Sequence, residues 1–448
     1  MKKLIFLTTL FVTLAATAQE QSEYDQNAPF GFCTVSSRTN ASSTYDITGG
    51  GCYTYPVPAS LADKTIVLTA DGTNDMKGAI QNAIKRYDIV VLDGSNGDFI
   101  ISSSIGFERG NKTLLGINNA RLCTQWYVTD EIKAALDAAG VPNMSTSGGG
   151  GTLSNGKSVS EEAEYHTRQI IINLTGDSNE SYRNAGILSL NKSNVIIRNI
   201  TFVGPGSIAV GGADLISATG AKNCWVDHCA FIDGEDGNFD ITNKSDFITV
   251  SWCTFSYTSR SYMHQNTNLI GSSDSETTGY LNTTFAFNWW GANCKQRMPM
   301  ARVGKIHMLN NYFSSTTASN CINPRKNSEF LIEGNYIDNS VPNFYSQSGA
   351  TSVTWANNNY TKGQSKPANV GSTVTVPYDY TVAPYSDVPT AVQEHAGATL
   401  NYSSDPSGIT LPTSSIERQS SAIYNLAGQR VTDSFRGIVI KNGKKVKQ

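Results

Sequence analysis

Three carboxylates, Asp214, Asp236 and Asp240, stand near one another in a chain otherwise poor in charge. Asp214 precedes a β-rich run at Trp225, and Asp236-Gly-Asn-Phe-Asp240 leads into the next run at Ile248. Aspartate oxygens suit a hard cation: calcium takes about six to eight oxygen ligands and tolerates water among them, whereas zinc and copper favour nitrogen and sulfur. Taken singly, each aspartate is equally well read as a turn residue, since Asp-Gly pairs make turns. Further along, Gln296-Arg297-Met-Pro-Met-Ala-Arg302-Val-Gly-Lys305-Ile-His307 brackets a proline with two arginines, and Lys295 and Lys305 extend the positive charge. Such a segment is either a solvated basic face or a patch that recognises carboxylates, whose geometry guanidinium forks match.

Composition narrows the partners. Of 448 residues, 39% are hydrophobic and 16% charged, with a formal net charge of −3. A disordered polyelectrolyte is excluded, and no global basic excess exists to neutralise nucleic-acid phosphates. An acidic substrate must therefore be held by a local patch. Residues 1–18 read as an export signal: Lys2 and Lys3, an apolar run from Leu4 to Ala16, then the small residues Ala16-Thr17-Ala18. The run is too short for comfortable membrane insertion, which takes about 20 residues, and no other segment is a transmembrane candidate. A secreted or cell-surface monomer is expected. Export permits disulfides among the eight cysteines, and Cys33 with Cys52 is the pairing expected. No CxxC pair favours zinc.

The elements that must position these residues repeat. Val195-Ile-Ile-Arg-Asn-Ile-Thr-Phe202 is followed by runs ending at Phe231, Phe255, Trp290, Phe313, Ile337 and Tyr360, at intervals of 29, 24, 35, 23, 24 and 23 residues. A unit near 23 with two longer rungs is a solenoid signature, unlike the 8–12-residue spacing of a sandwich. Two places before the last four ends stand Asn288, Asn311, Asn335 and Asn358, which can stack as an amide ladder. The pattern predicts an all-β chain folded as a right-handed parallel β-helix, with the excess residues of the two long rungs looping out on one flank. A helix with Ala79, Ile80, Ala83 and Ile84 on one face, capped by Asn74 or Thr73, would cover the N-terminal end. A second helix should run from Asp130 to Ala139 after Thr129. The domain is bounded as 19–400, a Ser/Thr/Pro-rich linker as 401–418, and a small β tail as 419–448, with Gly148–Gly151 a flexible excursion.

The chain resembles calcium-dependent pectate lyases of polysaccharide lyase family 1. The likeness rests on Asn223-Cys-Trp225-Val-Asp227-His228, Asp236-Gly-Asn-Phe-Asp240-Ile-Thr, Ser245-Asp-Phe-Ile-Thr-Val-Ser-Trp252, Ile270-Gly-Ser-Ser-Asp274-Ser275, and Arg297-x-Pro-x-x-Arg302-x-Gly-x-x-His307 followed by Asn310-Asn311. These motifs stand in family order over about 65–400. The resemblance implies calcium (Ca2+) held by Asp214, Asp236 and Asp240, Arg297 as the proton-abstracting base, and Arg302 as a cation holding substrate, with Lys295 beside it. The family's substrate-binding lysine falls at Arg260 here, inside a loop longer than usual, with His264 a nearby alternative. Asp227 and His228 are read as structural, and Ser272-Ser273-Asp274 as a turn supporting the cleft.

The implied reaction is β-elimination on α-1,4-linked polygalacturonate (pectate): the C5 proton leaves, the bond to O4 breaks, and the product carries a double bond. No water adds across the link, so a hydrolytic carboxylate pair is unnecessary. Arginine is an unusual base, since a guanidinium in water is neutral in only about one molecule per million at pH 7. Neighbouring positive charge favours the neutral form, and an alkaline rate optimum follows. A pectin lyase acting on methylated polymer, which would be expected to lack the calcium carboxylates, a polygalacturonase with clustered acids, and a non-catalytic polysaccharide-binding β-helix are the competing readings. The basic tail, with Ile423-Tyr-Asn-Leu-Ala-Gly-Gln-Arg430-Val431, resembles C-terminal sorting modules of Bacteroidetes exported enzymes.

Overall fold

The computed structural model describes residues 28–144, 162–208, 210–361 and 363–402, and the backbone of four strands near the C-terminus. The export signal, the Gly148–Gly151 run and nearly all of the 401–418 linker lie outside the described residues. The chain divides after Tyr402 into two compact units.

The first unit is a parallel β-helix. Each turn of chain adds one strand to each of three sheets, of ten, eight and seven strands, and nearly every neighbour in a sheet comes from the previous or next turn. The rung of the first sequence run shows why a unit of about 23 residues is needed. Val195–Arg198 joins the ten-stranded sheet, Thr201–Val203 the eight-stranded sheet and, after a loop, Ile216–Thr219 the seven-stranded sheet. What the sequence presents as one run is thus two strands meeting at a corner. The corner residue lies in the left-handed region: Asn199 at φ 59°, His228 at 46°, Trp252 at 51°, Phe287 at 55° and Asn310 at 51°. Two of these are large aromatics, for which that conformation is costly. Their rings repay it by stacking, Trp252 on Phe287 with centroids 4.5 Å apart and His228 on Trp252 at 5.8 Å.

Inside, the run-ending residues form the expected column. Phe202, Phe231, Phe255, Trp290 and Phe313 stack at centroid separations of 4.9–5.3 Å, close to the strand spacing of about 4.8 Å. Beside them runs the amide ladder. Asn288 donates to Asn311 Oδ1, Asn311 to Asn335 Oδ1, and Asn335 to Asn359 Oδ1, at 3.1, 2.9 and 3.0 Å. Its last member is Asn359 and not the expected Asn358, whose Oδ1 instead accepts from the Gly334 amide at 3.0 Å. Tyr360 pairs with Tyr336 and not with the run end at Ile337, so the rung keeps the 24-residue interval and the ladder position falls on Asn359.

The N-terminal end is covered by a helix, Lys77–Arg86, whose Ile80, Ala83 and Ile84 join the main core while Ala79 faces solvent. Neither Asn74 nor Thr73 caps it. Both are held in a turn by Asp71, and Asp75 Oδ1 accepts from the Lys77 amide at 2.9 Å. Asp130–Ala138 forms as expected, with the Thr129 hydroxyl accepting from the Ile132 amide at 3.3 Å. Two helices escaped sequence analysis. Glu162–Thr175 packs with Asp130–Ala138 through Ile132, Leu136 and Ile171 onto Ile208 and Val210. Val388–His395 lays Val388 and Val392 against the Trp252–Phe287 stack. Among the described residues no helix is long and apolar enough to cross a membrane.

The expected Cys33–Cys52 bridge does not form: all eight cysteines are free and buried. Cys33 packs with Ile47, Ile196 and Trp225, whereas Cys52 belongs to a separate cluster with Ile89, Val91 and Ile117. In the second unit Ile423–Asn425 pairs antiparallel with Arg430–Val431 and Ile438–Lys441, and Lys441 stands opposite Lys444 in the last hairpin.

Candidate active site

The loop of the first long rung, between Thr201–Val203 and Ile216–Thr219, carries Asp214; the next rung carries Asp236 and Asp240. Register brings two of the three together, because Ser217 pairs with Asp240 across neighbouring strands. Ser217 also donates to Asp214 Oδ2 at 2.9 Å, and Asp240 Oδ1 accepts from the Leu269 amide at 2.8 Å. Between them lies Gly237. A Cβ placed there would stand 2.7 Å from Asp214 Oδ1, 3.0 Å from Asp240 Oδ1 and 3.5 Å from the Asn266 carbonyl oxygen. Three oxygens therefore face one small space that only glycine leaves open. Asp214 Oδ1 is buried without any hydrogen-bond partner.

Asp236 takes a different direction. Its Oδ1 lies 2.6 Å from His264 Nε2, which is also 3.0 Å from Asn266 Nδ2, and its side chain is 40% exposed. Among the described residues, no three acidic, histidine or cysteine side chains converge as a closed metal cage. Asp214 and Asp240 share the pocket at Gly237, and Asp236 stands at its edge.

Electrostatics follow this geometry. Burial, with the like charge of Asp236 adding to it, pushes the Asp214 carboxyl up to about 7. Asp240 is raised well above its ordinary value by burial and then by Asp214. Burial acts the same way on Asp236, but the hydrogen bond and charge of His264, with help from Arg297, leave it below the usual range. Glu235, which sequence analysis passed over, is wholly buried and raised well above its ordinary value by burial and by Asp236 and Asp214. Two crowded carboxylates and an orphaned oxygen are what a cation-binding pocket looks like before charge is neutralised. The all-oxygen donor set fits calcium.

Arg297 lies just before Met300–Ala301, the strand two rungs beyond Phe239–Thr242 in the seven-stranded sheet. Its backbone is left-handed at φ 61°, held by the Asn268 amide donating to its carbonyl at 2.7 Å, and the Met298–Pro299 peptide beside it is cis. Its positive charge acts on Asp214, Asp236 and Asp240 alike, yet among the described residues no carboxylate lies within ion-pair distance of its guanidinium. Arg302 is fastened: Nε donates to Asp274 Oδ1 and Nη1 to the Gly271 carbonyl, both at 2.9 Å. The turn at Ser272-Ser273-Asp274 thus grips an arginine through Asp274.

The remaining cations separate. Lys295 is exposed at the rim. Lys305 does not extend the basic patch, because its side chain is buried and donates to the Thr375 carbonyl at 3.0 Å, near Glu329 at 3.6 Å. Arg260 lies over the Tyr127 ring at 4.2 Å and reaches the Gly204 carbonyl at 3.3 Å, with Asp233 at 3.9 Å. Asp227, fully buried, accepts from Arg198 at 2.7 Å and from Ser251 at 2.6 Å and lies 2.6 Å from His228 Nδ1, a buried network where strands of the ten-stranded sheet end.

Comparison with known proteins bears on the family. Residues 127–401 match the family model described as pectate lyase. Pectate lyase A of Aspergillus niger is 34% identical over 236 residues, which is 50% of this chain and 69% of that protein. Pectate lyase A of Emericella nidulans is 32% identical over 241 residues, with 51% and 69% covered. Among solved structures, a pectate lyase from Bacillus sp. N165 in complex with trigalacturonate superposes with a TM-score of 0.52 at 19% identity, covering 84% of this chain and all of that one, a likeness of fold. With the family model spanning more than half its length, this chain belongs to the pectate lyase family and is a polysaccharide lyase.

Proposed function

We propose that this pectate lyase cleaves α-1,4-linked polygalacturonate by calcium-assisted β-elimination, with Asp214, Asp236 and Asp240 as the metal carboxylates and Arg297 as the base. The observation that carries this reading is the pocket at Gly237, where Asp214 Oδ1, buried without a hydrogen-bond partner, faces the same space as Asp240 Oδ1, within the field of the Arg297 guanidinium. Calcium bound there would supply positive charge that offsets the charge gathering on the substrate carboxylate as the C5 proton leaves.

Arg297 takes that proton from C5. The electron pair left behind forms the C4–C5 double bond, and O4 departs with the other half of the chain. Arg297 is suited because, among the described residues, no ion pair ties its guanidinium down. Arg302, fixed by Asp274 and the Gly271 carbonyl, presents its remaining guanidinium edge to a uronate carboxylate. Lys295 at the rim and Arg260, braced on Tyr127, hold neighbouring uronates. The trigalacturonate carried by the Bacillus sp. N165 structure supports an oligouronate as the ligand class.

The same reading places the enzyme outside the cell or on its surface, by way of the 1–18 signal, with 419–448 serving its sorting. Deletion of 419–448 should change location and leave the purified enzyme's turnover intact. The direct test is growth of ultraviolet absorbance on polygalacturonate, with and without chelator. Absorbance that grows equally with chelator present would overturn the role of calcium. Absorbance that never grows, while reducing ends appear, would overturn elimination.

A further inference from the structure

The residues of the proposed reaction are strung across the seven-stranded sheet. Asp240 is on Phe239–Thr242, Leu269–Ile270 comes next, and Arg297 and Arg302 stand on either side of Met300–Ala301. A polymer that touches them all runs across the strands, along the axis of the β-helix. Carried the other way past Asp214, the same line meets Leu188–Leu190 and then Ile105–Gly106, one and two strands beyond Ile216–Thr219. At a strand spacing of about 4.8 Å, that is a reach of roughly 5–10 Å.

A cavity of about 230 Å³ lies at this end. Ser102 and Ala185, each shortly before one of those two strands, line it. Ala185 precedes Gly186, where a Cβ would stand 3.3 Å from the Asp214 carbonyl oxygen, so the cavity adjoins the acidic pocket. Its walls include Trp126 and Tyr182, with ring centroids 5.7 Å apart, and the side-chain amides of Gln125 and Asn184. Aromatic faces beside a few amides are a lining for a sugar unit. Pockets for drug-sized molecules run to roughly 300–1,000 Å³, so this one suits a single unit of a chain.

Its charge is opposite to that of the arginine end. Among the described residues, no lysine or arginine lines it. Carboxylates stand behind its wall instead. Asp75 Oδ2 accepts from Ser102 Oγ at 2.6 Å, and Asp177 Oδ2 accepts at 2.7 Å from the amide of Ser181, another lining residue. Arg183, between Tyr182 and Asn184, is engaged elsewhere, 3.3 Å from Glu180 and donating to the Gly211 carbonyl at 2.7 Å. A uronate carboxylate here would meet like charge and the negative faces of two rings. A methyl ester removes that charge and offers the rings an apolar group.

We infer that this cavity is a subsite for a methyl-esterified galacturonate unit, one or two rungs from the bond that is cut. The inference rests on the polygalacturonate reading above and narrows it to a mixed chain: free uronate toward the arginines, ester against Trp126.

The test is steady-state double-bond formation by the full chain, at fixed calcium, on polygalacturonate and on partly methyl-esterified galacturonan. The readout is the ratio of kcat/KM on the esterified polymer to that on polygalacturonate. Trp126→Ala should lower this ratio about tenfold, the scale of one methyl group in a fitted pocket, and Trp126→Phe should restore most of it. Gln125→Lys adds a cation to the wall at an exposed position and should also lower the ratio, by favouring the charged polymer. That surface change keeps the test decisive if Trp126→Ala does not fold. A ratio unchanged by Gln125→Lys and by Trp126→Ala, with product still formed, would overturn the subsite and leave the pectate lyase reading standing. A wild-type chain that forms no double bond on either polymer would overturn that reading, and the subsite with it.

Discussion

Arg302 donates through Nε to Asp274 Oδ1 at 2.9 Å, whereas Arg297, five residues earlier on the same rung, has no carboxylate in ion-pair reach among the described residues. A guanidinium fastened by a carboxylate is a fixed positive charge, suited to hold an anion. One with no such carboxylate, facing a candidate cation site, is better placed to exchange a proton. The two arginines of one motif are therefore assigned different work.

Arg297→Lys should lower kcat by about 10²–10⁴-fold, the usual worth of a positioned base, with KM within a few-fold of wild type. Initial rates of double-bond formation on polygalacturonate measure both. An Arg297→Ala variant with full turnover would remove the assignment. The rate should also rise toward alkaline pH, and a maximum near pH 5 would be incompatible with a guanidine base.

Asp274→Asn should act on KM. Asp274 is 56% exposed, and solvent limits such pairs to about 0–1 kcal/mol. A rise in KM of up to about fivefold, with kcat nearly unchanged, is expected from steady-state kinetics. A collapse of kcat with unaltered KM would place Asp274, and Arg302 with it, in the chemical step.

The buried His307–Glu333 pair governs acid stability. His307 Nε2 lies 3.1 Å from Glu333 Oε1 and Nδ1 lies 2.8 Å from the Tyr378 hydroxyl. Burial holds the imidazole below its ordinary 6.5, outweighing Glu333. The unfolded chain therefore binds this proton more readily, and stability should fall as pH drops below about 6.5. Glu333, buried but held below its ordinary 4.5 by the His307 hydrogen bond, adds a loss in the same direction as pH falls past that value. His307→Gln should flatten the decline of denaturation midpoint between pH 6.5 and 5; an unchanged slope would refute the assignment.

Asn311 sits mid-ladder, donating to the Phe285 carbonyl and Asn335 Oδ1, both at 2.9 Å, and accepting from Asn288. Alanine there would strand buried polar groups worth about 1–3 kcal/mol each. A loss of about 2–4 kcal/mol is expected by denaturant unfolding, against almost none for the exposed Asn179→Ala. Equal effects would mean that the ladder contributes nothing particular.

Much of this was legible in the chain. Interval and composition revealed the parallel β-helix, because a rung must close at nearly constant length and must end on an inward-facing large residue, as Phe231 and Phe255 do. Direction was harder. The corners at His228 and Trp252 take left-handed backbone that neither residue type advertises, so one run concealed two strands. The ladder ended on Asn359 because Tyr360 aligns with Tyr336, one residue before the run end at Ile337, a register the runs alone do not display. Lys305 looked like part of a basic patch, yet it alternates with the core-facing Ile306 and Met308 and is buried on the outer face, where the segment carrying the Thr375 carbonyl covers it. The acidic triplet was visible, but not that Asp236 would turn to His264, nor that Glu235 would cross Gly212, since both depend on loops brought together over the rungs.

The buried free thiols impose an upper bound on the alkaline range. Burial pushes Cys33, Cys224 and Cys294 each up to about 12 from 9.0. Above pH 9 the unfolded chain sheds these protons while the folded chain retains them, so ionisation drains the native population. Each thiol withdraws on the order of 1.4 kcal/mol per pH unit once past that point. Chemistry that quickens in base and an interior that weakens in base leave a finite band in which the enzyme both turns over and endures.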